Sequence, residues 1–223
     1  PIFASDLHML PTIKVCGITR EEDIFDCLDA GVNWLGINLY SPSPRSVSLA
    51  RAQELCSMIP DGRSVLVDVV PDIQKLHAYL DAGFDQFQLH FSMDLPNQTL
   101  SSWSELVGRK NLWLAPKLPP GEPFPEQLLG HAETIVVDSY SKHTFGGTGK
   151  TGNWVLFKGL KMLYPQIKWV LAGGLNPQNL RRAVQSTGTE IVDLNSGIET
   201  APGIKDSVYL DMAIQALNPS NRE

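Results

Sequence analysis

"KWVLAGGLNPQNLRRAV", Lys168 to Val184, holds a strand, a turn and the start of a helix in one stretch. "KWVLAG" is a short apolar run of strand length. Gly173 and Gly174 then let the backbone approach closely to whatever lies beside it. Asn176 is suited to the N-cap of a helix and Pro177 to its first position. Leu180, Ala183 and Val184 recur at i, i+3 and i+4, the spacing of one apolar helix face. The stretch is a βα unit whose turn presents backbone amides at a helix start.

The same alternation runs through the 223-residue chain. Short apolar, often β-branched runs occur at "TIKVC", "WLGINLY", "SVLVDVV", "FDQFQLHF", "NLWLAPKL", "TIVVD", "KWVLAG" and "IVDLNS", eight candidate strands. Helical periodicity separates them, as in Ile24, Cys27 and Leu28, and in Ala52, Leu55, Cys56 and Ile59, which places Cys27 and Cys56 in helix cores. Strands alternating with helices require a parallel sheet with right-handed crossovers. Eight such units at this length predict a closed (β/α)8 TIM barrel, with an open doubly wound sheet as the alternative. Residues 1–11 read as a leader, 12–218 as a single barrel domain and 219–223 as a tail. The proline-rich "APKLPPGEPFPE", Ala115 to Glu126, reads as a stiff loop within that domain.

Composition narrows the function classes. With 43% hydrophobic and 19% charged residues the chain has the make-up of one globular domain, and a net charge of −6 argues against nucleic acid or an anionic membrane as partner. A local basic pocket for a small anion is compatible with that charge. Three cysteines without a CxxC pair suggest neither a disulfide framework nor a zinc site, and a reducing cytoplasm is the expected compartment. No run of 18 apolar residues suggests a membrane span. His8, His77, His131 and His143 show no metal-ligand spacing.

In a (β/α)8 barrel the chemistry sits at the C-terminal ends of the strands. Those ends carry Cys16, Arg45 in "SPSPRSV", His90, Asp138, the glycines of "AGGLNP", and "NSGIE" with Ser196 and Gly197. Glycine-rich turns after strands seven and eight, each opening onto a helix start, are the usual phosphate site of this barrel type. Two ordinary glycine turns are the plainer alternative. "TFGGTGKT", Thr144 to Thr151, ends like a P-loop, but Thr144 stands where its first glycine belongs, so a glycine loop over the barrel mouth is the stronger reading. Taken singly, Cys16 fits a small buried hydrophobe and Asp138 a turn former as well as reactive groups.

"KVCGIT", "SPSPRSV", "FQLH", "VVDSYSKHTFGGTGKTGNW", "LAGGLNPQN" and "VDLNSGIE" with the trailing "PGIKD" resemble, in order, the signature blocks of the phosphoribosylanthranilate isomerase family. The resemblance covers about Thr12 to Leu217. It implies an Amadori rearrangement in tryptophan biosynthesis, converting a phosphoribosyl aminoaldose to a 1-deoxyribulose aminoketose, without metal or organic cofactor. It further implies that Cys16 is the general base and Asp138 the general acid, and that Arg45 grips the anthranilate carboxylate. His90, Gly147, Gly173, Gly174, Asn176, Asp193, Ser196 and Gly197 complete the expected substrate site. Cys16 would then have to lose its proton, and Asp138 to keep one, more readily than thiols and carboxyls near 8.5 and 3.9 usually do. Other readings are another phosphate-binding barrel enzyme, of the sugar-phosphate epimerase or thiamin-phosphate synthase kind, and a non-catalytic binder of phosphorylated ligands or nucleotide hydrolase. The partner is a small phosphorylated molecule, and the sequence leaves room for a homodimer.

Departures from the family blocks are also expectations. Phe91 follows "QLH" where glycine is usual, and Asp68 and Val70 stand in "VLVDVVPD" at the end of strand three. These could reshape the anthranilate side, with Asp68 a second carboxylate near the site or a partner of Lys117.

Overall fold

A computed structural model describes residues 10–138 and 154–218. Eight parallel strands close into a barrel in the order of the chain. They are β1 (Thr12–Cys16), β2 (Trp34–Asn38), β3 (Ser64–Val69), β4 (Gln86–Ser92), β5 (Leu112–Lys117), β6 (Thr134–Val137), β7 (Lys168–Leu171) and β8 (Ile191–Leu194). The expected (β/α)8 architecture is therefore present, and β1 pairs with both β2 and β8 to close it.

Helices α1 (Glu21–Asp29), α2 (Leu49–Cys56), α3 (Ile73–Asp81), α4 (Asn97–Val107), α5 (Trp154–Leu163), α6 (Leu180–Thr187) and α7 (Ser207–Leu217) follow their strands. The crossover from β5 to β6 has only a short 3-10 helix, Glu126–Gly130. Pro119, Pro120, Pro123 and Pro125 explain why, since each removes a backbone donor that an α-helix needs. Phe124 of that loop packs on Tyr164 and Trp169, with ring centroids 5.7 and 5.5 Å away, and so covers the barrel wall in place of a helix.

Strand alternation divides the side chains into two sets. Outward residues such as Val15, Leu35, Leu66, Leu89, Leu114, Ile135, Leu171 and Leu194 pack under the helices with Ile24, Cys27, Leu76, Trp103 and Phe157. Inward residues fill the barrel: Trp34, Trp113, Ala115, Val136, Val170, Ala172 and Ile191 form one cluster, and Cys16, Val65 and Val67 another that also touches Trp34. Trp34 and Trp113 meet edge to face at 5.3 Å and plug the interior below the mouth. Cys27 is fully buried, and burial pushes its thiol up to about 12, so it packs and does not react. No described helix is long and apolar enough to cross a membrane.

Candidate active site

The alternation that builds the core also aims the functional side chains. Lys14 and Cys16 share the inward face of β1, Gln88 and His90 that of β4, and Asp193 that of β8. Asp138 directly follows β6 and continues the inward series of Thr134 and Val136. Because the barrel runs β1, β8, β7, β6, Asp138 stands three strands from Cys16, on the opposite wall. It is half-buried.

Cys16 ends β1 and is almost fully buried. Beneath it lies Lys14, which is completely buried and donates to Asp193 Oδ2 at 2.7 Å. Burial opposes the ammonium charge, but Asp193 and Cys16 outweigh it and hold Lys14 above the ordinary lysine value. Burial, with the charge of Asp193, holds the Cys16 thiol above the ordinary cysteine value, against the pull of Lys14 and Lys205. The thiol by itself therefore keeps its proton more firmly than the sequence led us to expect. Gly36 on β2 makes the arrangement sterically feasible. A methyl group there would lie 3.1 Å from Cys16 Sγ and 3.2 Å from Lys14 Nζ.

His90 sits on β4 across the interior, with its Nε2 2.9 Å from Gln88 Nε2. Burial, helped by the positive charge of Lys14, lowers its value to about 4, so the ring is neutral at physiological pH. Its unprotonated Nε2 accepts from the Gln88 amide.

Arg45 crosses the outer rim over Gly17, whose φ of +77° and lack of a side chain admit it; a methyl group at Gly17 would lie 2.6 Å from Arg45 Cδ. Glu199 takes the guanidinium side-on, with Nε at 3.0 Å and Nη2 at 2.6 Å. Lys205 Nζ also binds Glu199, at 2.7 Å, and Asn195 Oδ1 at 3.0 Å. Burial disfavours a charged Glu199, yet Arg45 and Lys205 more than compensate and hold its carboxyl below the usual range. Glu199 and Lys205 come from a two-stranded hairpin, β9 (Glu199–Ala201) and β10 (Ile204–Lys205), which "GIETAPGIKD" did not announce.

The loops after β7 and β8 touch each other. Gly173 and Gly174 have φ of +89° and +63°, a conformation suited to glycine. Gly197 packs so tightly on the preceding loop that an added methyl carbon would fall 1.9 Å from the Leu175 carbonyl oxygen. Ser196 and Gly197 form a 3-10 turn, Ser196–Ile198. Asn176 Oδ1 accepts from the Gln178 and Asn179 amides at 3.0 and 3.1 Å, the expected cap contact. α6 itself begins later than the cap predicted, at Leu180, because residues 177–179 form a turn first.

Cys16, His90, Asp138, Arg45, Gly173, Gly174, Asn176, Ser196 and Gly197 thus all lie at the end of the barrel where the strands finish. Asp193 is lower, in the interior, with Lys14. Gly147 and the P-loop-like Thr144–Thr151 lie outside the described residues. Two expectations are corrected. Phe91 faces outward and packs edge to face on Trp103 at 6.0 Å, and Asp68 faces α3, where it accepts from Tyr79 Oη at 2.7 Å. Neither touches the mouth, because odd and even positions on a strand point to opposite faces. Sequence reading passed over Lys14, Gly36, Glu199 and Lys205. The available signal for Lys14 was a charge at an inward position of an otherwise apolar strand, matched by Asp193 on the strand that closes the barrel beside it.

Comparison with known proteins gives a consistent result. A family model for N-(5'-phosphoribosyl)anthranilate (PRA) isomerase matches residues 13–216. The N-(5'-phosphoribosyl)anthranilate isomerase of Zymomonas mobilis subsp. mobilis is 32% identical over 208 residues, covering 92% of this chain and 96% of that protein. The crystal structure of phosphoribosyl anthranilate isomerase from Thermotoga maritima superposes with a TM-score of 0.78 at 28% identity, covering 93% of this chain and 98% of that one. A phosphoribosyl anthranilate isomerase in complex with reduced 1-(o-carboxyphenylamino)-1-deoxyribulose 5-phosphate is similar with a TM-score of 0.73 at 25% identity, covering 93% of this chain and 98% of that one.

Proposed function

This chain belongs to the N-(5'-phosphoribosyl)anthranilate isomerase family, and we infer that its barrel mouth carries out that family's Amadori rearrangement with Cys16 as base and Asp138 as acid. The reaction is internal: C1 of the sugar is reduced as C2 is oxidised, so proton transfers suffice. Asp138 gives a proton to the furanose ring oxygen, and the ring opens to an iminium ion. Cys16 then takes the C2 proton, leaving an enolamine that tautomerises to the aminoketose.

The observation that carries this reading is the placement of Cys16 over a buried cation, with Asp138 on the facing wall of the same mouth. A planar iminium held between them meets an acid on one side and a base on the other. Gly173, Gly174, Ser196 and Gly197 take the phosphate through backbone amides. Asn176 fixes the turn that presents them. Glu199 occupies the Nε and Nη2 edge of Arg45, which orients the two-Nη edge for the anthranilate carboxylate. His90, uncharged, lines the pocket between β1 and β6 without adding a competing cation.

The test follows loss of anthranilate-type fluorescence as freshly generated phosphoribosylanthranilate is consumed. Cys16→Ser and Asp138→Asn are each expected to lower kcat by about 10²–10⁴ while remaining folded. Wild-type turnover that survives both substitutions would remove these two roles.

A further inference from the structure

Stability alone is a poor explanation for the ion pair under Cys16. Buried charged pairs are weak contributors to stability, and an apolar pair of similar size often does as well. Yet Lys14 and Asp193 bridge β1 to β8 inside the barrel, at 2.7 Å, one side chain fully buried and the other nearly so. Asp193 Oδ1 is buried with no hydrogen-bond partner in the described structure, so this carboxylate is only half satisfied. Gly36 keeps open the space through which Lys14 Nζ and Cys16 Sγ approach each other. A costly arrangement, with room reserved for it, calls for a role at the one reactive group it touches.

We propose that Lys14 is a positioning residue that makes Cys16 a base, and that Asp193 competes with Cys16 for its charge and so sets how much of it the thiolate receives. The inference rests on the reading of Cys16 as base. When the thiol ionises, its negative charge forms beside an ammonium that cannot move away, because β1 and Asp193 fix it. Asp193 at the same time repels that charge, so the two residues act on Cys16 with opposite signs.

The other groups around Cys16 do not replace this pair. On β2 the inward neighbours are Trp34, Gly36 and Asn38, none of which titrates. Lys205 on β10 adds positive charge, but it is engaged by Glu199 and Asn195. Arg45 shares the Glu199 carboxylate with Lys205 at the outer rim, His90 is uncharged, and Asp138 stands on the opposite wall. Lys14 and Asp193 are thus the larger opposing charges on Cys16, and Lys205 adds a smaller pull in the same direction as Lys14.

The experiment measures the pH dependence of Cys16 alkylation by iodoacetamide in the whole protein, with peptide mapping to separate it from Cys27 and Cys56. The pH dependence of kcat/KM is recorded alongside. Asp193→Asn is expected to lower the alkylation midpoint by about 1 unit or more, and Lys14→Met to raise it by about 1–3 units. The double variant Lys14→Met/Asp193→Asn carries no interior charge and guards against misfolding of the single lysine variant. Compared with Asp193→Asn alone it isolates Lys14, and its midpoint should lie higher. Equal midpoints in that pair would overturn the role of Lys14. A rise in Asp193→Asn would overturn the competition and leave Asp193 as a mere anchor. Midpoints that move as expected while the acid limb of kcat/KM stays fixed would uphold the charge pair and instead refute Cys16 as the catalytic base.

Discussion

Replacing Gly197 by alanine adds a single carbon where the loops after β7 and β8 already touch. That carbon would lie 1.9 Å from the Leu175 carbonyl oxygen and 2.8 Å from both the Leu175 carbonyl carbon and Asn176 Cβ. Comfortable non-bonded separations are about 3.5 Å, so the loops must part by roughly 1.5 Å. The obstacle is mainly backbone, which cannot rotate aside as a side chain can. The cost should therefore fall at the upper end for overpacking, about 3 kcal/mol. For a domain of this size that corresponds to a Tm lower by about 6–12 °C. The same displacement separates the amides proposed to hold the phosphate, and KM should rise about tenfold, equivalent to about 1.4 kcal/mol. Thermal unfolding with and without inorganic phosphate, together with steady-state kinetics, gives both quantities. Phosphate should raise the wild-type Tm by binding only the folded state, and should raise that of the variant much less. A variant with wild-type Tm, KM and phosphate response would refute the contact and the phosphate site built on it.

Three further expectations concern charge and packing. Between the ordinary histidine value of 6.5 and the folded value of about 4, the unfolded chain binds a proton that folded His90 refuses. Stability should therefore fall by about 3 kcal/mol as pH drops through that window, and urea unfolding of His90→Asn should show a shallower slope there. Glu199 is held below the usual carboxylate range, so its contribution is present above about 4.3 and is lost as pH falls through its folded value. Glu199→Gln should thus differ most from wild type near neutrality, by about 3–5 kcal/mol, and the gap should close in acid. Phe91→Ala should cost about 3–5 kcal/mol in urea unfolding through the void left against Trp103, with KM unchanged because the ring faces away from the mouth.

The sequence by itself determined the alternation of strand and helix and made a closed barrel the leading reading over an open doubly wound sheet, which the pairing of β1 with β8 then decided. Eight apolar runs separated by helical periodicity cannot bury both faces of a sheet in many other ways, and the glycine turns at Gly173, Gly174 and Gly197 marked the loops that meet. It also determined which side chains end the strands, since Cys16, His90 and Asp138 follow directly from where each apolar run stops. Tertiary structure decided what surrounds them. Lys14 and Asp193 are separated by 179 positions, and they meet only because β8 closes on β1 in a particular register, Lys14 opposite Asp193. The inward or outward sense of Phe91 and Asp68 depends on a strand register that shifts every side chain to the other face when displaced by one residue. Arg45, Glu199 and Lys205 are joined by a hairpin without a strong apolar pattern of its own. Local periodicity encodes the elements, but the partners of a buried charge are set by barrel closure, which is a property of the whole chain.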